Sequence, residues 1–199
     1  MDGFSIMSNP QNARKYLTED ELKRLLHVIK GHKSPRNEAI FLVTYWRGLR
    51  ASEVGRIPFS AWNQAKRRLY VVRLKGSLSG EYPLSKAEHS ALVAWAKIRG
   101  NAPGPLFPSR ESGAIGAGIS RKMLHVLMKR YATEAMLPAH LTHMHSLKHA
   151  LATHLIGKGA DLFAVKDWLG HKDMRSTLVY AQFRNAQRDA AAQKIYEQG

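Results

Sequence analysis

Four short stretches of the chain hold side chains suited to work on an anion. Gly48-Leu49-Arg50-Ala51-Ser52-Glu53 sets a guanidinium just after a glycine that should end a helix. Arg73-Leu74-Lys75-Gly76 sets an ammonium at the end of a strand, entering a turn. His145-Ser146-Leu147-Lys148-His149 offers an imidazole and an ammonium three residues apart, hence on one helical face. Leu169-Gly170-His171 is followed nine residues later by Tyr180, within Thr177-Leu178-Val179-Tyr180-Ala181. Guanidinium and ammonium groups stabilise negative charge, imidazole titrates near working pH, and a phenol can act as a nucleophile. Singly, each has a duller explanation. An arginine after a glycine is usually solvated, a hairpin lysine usually stabilises nothing, and a helical tyrosine is usually half-buried packing.

The charge of the whole chain favours the anionic reading. Thirty-one Lys and Arg stand against fifteen Asp and Glu in 199 residues, a net +16. That excess favours a polyanion, nucleic acid first and anionic membrane second. The absence of cysteine excludes disulfides, thiolate metal sites and cysteine nucleophiles. The longest apolar runs, such as Ala39 to Trp46, are too short to span a bilayer. The first residues, MDGFSIMSNP, lack the layout of a secretion signal, so the expected compartment is the cytoplasm, where DNA is available.

The elements that must position these residues read as mainly helical. Residues 1–16 are polar and read as a flexible lead-in. Thr18 followed by Glu19, Asp20 and Glu21 is a helix start, and Leu22, Leu25, Leu26 and Ile29 keep helical spacing until Gly31. A second helix is predicted from about Pro35 through Tyr45, ending near Gly48. Leu69 to Leu74 is a strand candidate, with Tyr82 to Leu84 as its return. Helix resumes over Ala87 to Ile98, and Gly100 to Gly118, with three prolines, reads as a surface connection. Helical patterns then continue from Ile119, broken near Pro138, Gly157-Lys158-Gly159 and Gly170. The expected fold is a mainly α domain with a small antiparallel sheet, a hairpin or three strands.

In order and context these stretches resemble the tyrosine recombinase (phage integrase) family, whose motifs run Gly-Leu-Arg-x-Ser-Glu, a hairpin lysine, His-x-Leu-Arg-His, Leu-Gly-His and a tyrosine shortly after. Leu17-Thr18-Glu19-Asp20-Glu21 before the first motif and Ala152-Thr153-His154-Leu155 after the third fit as well, so the likeness runs from about Leu17 to Tyr180. It implies site-specific recombination of double-stranded DNA by two transesterifications. Attack on a phosphodiester adds charge to its nonbridging oxygens, which preorganised cations stabilise. The resemblance makes Arg50 a bidentate phosphate clamp, Lys75 the acid for the departing 5′ oxygen, and His145 and His171 donors to the phosphate or carriers of the tyrosine proton. Tyr180 becomes the nucleophile of a 3′-phosphotyrosyl intermediate, whose ester conserves the bond energy, so neither ATP nor a metal is required.

One position departs from the pattern: Lys148 stands where the family has its second arginine. Lysine keeps the charge but loses the planar fork. Either Lys148 still contacts the phosphate and activity persists, or the chain is a non-cleaving binder that regulates recombination sites. A type IB-like topoisomerase is a further alternative, less well matched by the spacing from Leu-Gly-His to tyrosine. His140, His143, His145, His149 and His154 crowd together, yet no glutamate sits within the motif to act as base and Lys148 would repel a cation, so a metal site is not expected. His149 and His154 read as structural or DNA-facing.

Arg121 and Lys122, on the helix after Ile119, are candidate phosphate contacts, with a solvated basic face as the plain alternative. Trp46, Trp62, Trp95 and Trp168 read as packing. Residues 17–181 would form the catalytic domain and 182–199 a helical tail, docking on a neighbouring protomer in a DNA-bound tetramer or packing in cis. About sixteen residues precede Leu17, too few for the core-binding domain that most family members carry. The chain is then either trimmed from a longer protein or similar to the short members, including those that invert fimbrial switches. A short form should depend on protomer contacts or accessory DNA-bending proteins.

Overall fold

Capping at helix starts and glycines at helix ends divide the chain much as its pattern suggests. The computed structural model describes residues 14–74, 76–110 and 116–184. Helix α1 (Glu19–Gly31) opens with a reciprocal cap, the Glu21 amide donating to Thr18 Oγ1 and the Thr18 amide to Glu21. Its carboxylate also takes a bidentate pair from Arg14, at 2.6 and 2.7 Å. Those bonds hold Glu21 down at about 2. Residues 14–16, inside the expected loose lead-in, are thus tied down, and the Tyr16 ring also meets Phe183 edge-on at 5.0 Å.

Helix α2 (Pro35–Trp46) carries Ala39, Ile40, Phe41, Leu42, Val43 and Tyr45 buried on all sides, which makes it the central rod. It packs on α1, on α4 (Lys86–Arg99) and on α6 (His145–Gly157). Leu147, Ala150, Leu151, Ala152 and Ile156 of α6 complete the same core. Burial of each Leu or Ile there contributes roughly 1.5–3 kcal/mol. Helix α3 (Ala51–Val54) is a single turn, and α5 (Arg121–Glu134) lies against α1 and α3. Short α7 (Leu162–Trp168) and α8 (Arg175–Leu178) follow α6, then a 3₁₀ turn over Ala181–Arg184. The rest of the expected tail, 185–199, lies outside the described residues, as do residues 1–13.

The sheet is three-stranded and antiparallel, β1 (Trp62–Asn63), β2 (Arg68–Val71) and β3 (Gly80–Pro83), in that order. The ladder stops at the Val71–Gly80 pair, short of the expected Leu74. Beyond it the backbone donors turn to side chains, the Arg73 amide to Ser79 Oγ at 3.0 Å and the Leu74 amide to Glu53 at 3.1 Å. The stretch after Gly100 is not wholly a surface connection, because Leu106 and Phe107 are fully buried. The Leu106 amide donates to the Ile57 carbonyl at 2.7 Å, and the Trp95 indole donates to the Leu106 carbonyl at 2.8 Å. Among the described residues no helix is long and apolar enough to cross a membrane.

Candidate active site

Two motif glycines let the site close. Gly48 ends α2 with φ +54°, and a Cβ there would come within 2.6 Å of Leu169 Cδ2. Gly170 has φ +65°, and a Cβ would meet the Leu78 carbonyl oxygen at 2.5 Å and Arg73 Nε at 3.1 Å. Both positive φ values favour glycine, and at Gly170 the backbone contact leaves no room for a Cβ. In return the Leu78 amide donates to the Gly170 carbonyl at 2.8 Å, which fastens the hairpin loop to the Leu-Gly-His turn.

Arg73 completes that junction from beneath. Its buried guanidinium donates to the carbonyls of Arg47, Gly48 and Trp168, at 2.6, 3.1 and 3.2 Å. It also pairs with Glu53 at 3.4 Å, both side chains being fully buried. Glu53 is the hub. Its carboxylate accepts from the Arg50 amide and guanidinium, each at 2.8 Å, and from the Leu74 amide. Burial opposes its charge, but these hydrogen bonds outweigh burial and hold the carboxyl below its ordinary value. Arg50 Nη1 also donates to Ser77 Oγ at 3.0 Å and to the Leu74 carbonyl at 3.3 Å. The guanidinium is therefore oriented before any ligand arrives.

Helix α6 begins at His145, so its positive end adds to the field of the site. Ser146 Oγ donates to the carbonyls of Leu141 and His143, and the Ser146 amide donates to His143 Nδ1, which seats that terminus. Lys148 is 2% exposed, and its ammonium donates to the Leu169 carbonyl at 3.4 Å. Burial, then repulsion by Arg73 and Arg50, pulls it down to about 7. His171 is buried against Thr177, with Nδ1 and Oγ1 2.9 Å apart. Burial and the surrounding cations, Lys148 first, pull it to about 4. His145 is lowered by the same causes.

Tyr180 follows α8 and is 4% exposed, and burial pushes its phenol up to about 12. The phenol oxygen lies 2.8 Å from His149 Nδ1. Arg50, His145, Lys148, His171 and Tyr180 all line one cavity of about 480 Å³. Lys75 lies outside the described residues, although its neighbours Gly76 and Ser77 line the same cavity. Arg121 and Lys122 line a second recess with Arg50, His125, His143 and His145, so Arg50 and His145 are shared between the two. The four tryptophans pack: Trp62 and Trp95 are buried, and the Trp168 indole donates to the Trp46 carbonyl at 2.9 Å.

Glu53 and Thr177 lie in the motifs without an expected role and His149 reads from sequence as structural or DNA-facing, yet all three bond groups of the site. The signal for His149 was its place one turn beyond His145, beside Lys148. For Glu53 it was the third position of the helix that Arg50 precedes, where a carboxylate caps backbone amides.

This fold is that of solved recombinases. It superimposes on the crystal structure of XerA recombinase with a TM-score of 0.73 at 22% identity, covering 92% of this chain and 64% of that one. XerH bound to its difH substrate gives 0.73 at 24%, covering 90% and 54%. The family model described as Phage integrase family matches residues 15–187, and the chain belongs to that family. Tyrosine recombinase XerC of Pseudomonas aeruginosa is 34% identical over 185 residues, 90% of this chain and 58% of XerC. The chain thus spans little more than half of that relative. Type 1 fimbriae regulatory protein FimE of Escherichia coli K12 is 30% identical over 173 residues, covering 84% of this chain and 85% of FimE.

Proposed function

We propose that this chain cuts and rejoins double-stranded DNA at specific sites through a transient 3′-phosphotyrosyl bond to Tyr180. What carries the reading is the convergence of Arg50, His145, Lys148, His171 and Tyr180 on one cavity. Four positive or potentially positive groups, Arg50, His145, Lys148 and His171, and an α-helix N-terminus surround a space sized for a phosphate with its flanking sugars. The phenol oxygen attacks phosphorus, and Arg50, His171 and Lys148 take up the charge that develops on the nonbridging oxygens. The P–O5′ bond breaks, and Lys75 donates the proton that the departing oxygen needs. Reversal with a different 5′-hydroxyl reseals the strand. Arg121 and Lys122 hold backbone phosphates beside the cleaved one, through the recess shared at Arg50. The net charge of +16 draws the duplex in.

Exchange between two duplexes requires four cuts. With one such tyrosine per chain, that means four copies on DNA. XerH was solved with its DNA substrate before and after cleavage, which supports the same partner here. Lys148 lines the cavity together with the other cations, which supports a cleaving enzyme over a non-cleaving binder. The test is a duplex from DNA flanking the gene, nicked so that the released strand diffuses away. The wild type should accumulate a detergent-resistant protein–DNA adduct that Tyr180→Phe cannot form. An adduct that survives Tyr180→Phe, or none with any flanking duplex, would defeat the proposal.

A further inference from the structure

The phenol of Tyr180 has one hydrogen-bond partner among the described residues, and it is neither His145 nor His171. It is His149 Nδ1, at 2.8 Å, with the two rings tilted at 60° and 5.7 Å apart. His149 also lines the cavity, one helical turn beyond His145 and next to Lys148. We propose that His149 is the proton acceptor for the nucleophile, its imidazole carrying hydrogen on Nε2 and receiving the phenolic proton on Nδ1 as the O–P bond forms. The assignment rests on the strand-transfer reading and gives it a catalytic base that the motif pattern had left among structural residues.

The balance is complete with groups already named. The phenol O–H bond breaks, its proton passes to Nδ1, and the oxygen lone pair makes the bond to phosphorus. The P–O5′ pair leaves with the 5′ oxygen, which takes its proton from the acid proposed at Lys75. On resealing, the protonated imidazole returns its proton to the phenolate. The surroundings keep this base ready: burial first, then His145, His143, Lys15 and Lys148, hold His149 at about 4, so it is unprotonated in the free protein. Tyr180 packs on it from the other side. A phosphate anion entering the cavity offsets those cations and raises the basicity of the imidazole at the step where a base is needed. The His145 ring, edge-on to His149 at 4.4 Å, makes no hydrogen bond to the phenol and is left free to face the phosphate.

Single-turnover adduct formation on a nicked duplex, followed from pH 6 to pH 9, tests the assignment. His149→Asn keeps an acceptor atom near the Nδ1 position but cannot take a proton. It should bind DNA as the wild type does and form adduct 10²- to 10⁴-fold more slowly at pH 7. Its rate should climb about tenfold per pH unit as hydroxide substitutes, where the wild type levels off. A substrate with sulfur at the bridging 5′ position, a leaving group that needs no acid, should leave the defect in place. His149→Ala, checked for folding by its thermal transition, should behave likewise. Rates for His149→Asn within threefold of wild type on the same pH profile, or recovery with the sulfur substrate, would overturn the proposal. A wild type that never forms adduct would instead bring down the strand-transfer reading and this assignment with it.

Discussion

Replacing an arginine by a buried lysine should make DNA binding depend on pH, and Lys148 allows the size of the effect to be worked out. In the free protein Lys148 is 2% exposed, its ammonium touches the Leu169 carbonyl at 3.4 Å, and its pKa is drawn down to about 7. A phosphate anion about 4 Å away stabilises it by roughly 4 kcal/mol at an effective dielectric of about 20. At 1.36 kcal/mol per pH unit, that moves the bound-state value to near 10. The sign follows from which state holds the proton. Below pH 7 the ammonium is charged in both states and linkage vanishes. Above pH 7 binding must draw a proton from solvent, so affinity falls as pH rises. Between pH 7 and pH 9 the linkage relation gives a loss of about 50-fold in affinity from this group alone. His149 and His171, near 4 when free, are linked mainly below that window. Fluorescence anisotropy on a labelled duplex at constant ionic strength measures the slope, and Lys148→Arg supplies the control because a guanidinium stays charged throughout. Wild type should lose affinity steeply and Lys148→Arg should stay nearly flat while cleaving at least as well. Parallel curves for the two proteins would refute the placement of Lys148 on the phosphate.

Three further outcomes follow from the same geometry. Glu53→Ala strands the buried Arg73 guanidinium without its counter-charge and should cost about 3–5 kcal/mol, read as a lower denaturation midpoint, with cleavage lost as well. Gly170→Ala forces a side chain onto a positive φ and against the Leu78 carbonyl. It should cost at least 1–2 kcal/mol and depress cleavage more than DNA binding, seen by comparing adduct yield with anisotropy. Thr177→Val removes the hydroxyl partner of His171 Nδ1 and should slow adduct formation about tenfold with little change in affinity, while Thr177→Ser should restore most of the rate.

Much of this molecule was readable from local chemistry. The Thr18 start of α1 is visible because capping depends on residues three apart, and Gly48 stands out because a helix that must stop and turn sharply needs a residue without a Cβ. The cations around the cavity were legible as ordered motifs, though not as a shape. What stayed hidden depends on partners far along the chain. Glu53 reaches Leu74, twenty-one residues on, and the Tyr180 phenol reaches back thirty-one residues to His149. No periodicity encodes such pairings. The burial of Leu106 and Phe107 was masked by surrounding prolines and glycines, whose composition signals a loop but says nothing of which side of it faces the core.

The fastening of α3, the hairpin and the Leu-Gly-His turn through Glu53 and Arg73 bears on the safety of such a protein. Arg50, the hairpin and the turn that carries His171 come from distant points of the chain and are held by the same two buried charges, so loss of either charge loosens all three. A half-folded or unravelling copy still owns its phenol, but it has no ordered cations to set against a DNA strand. On the proposed chemistry, damage to the fold silences strand cleavage before it can become unregulated, and a misfolded molecule leaves DNA unbroken.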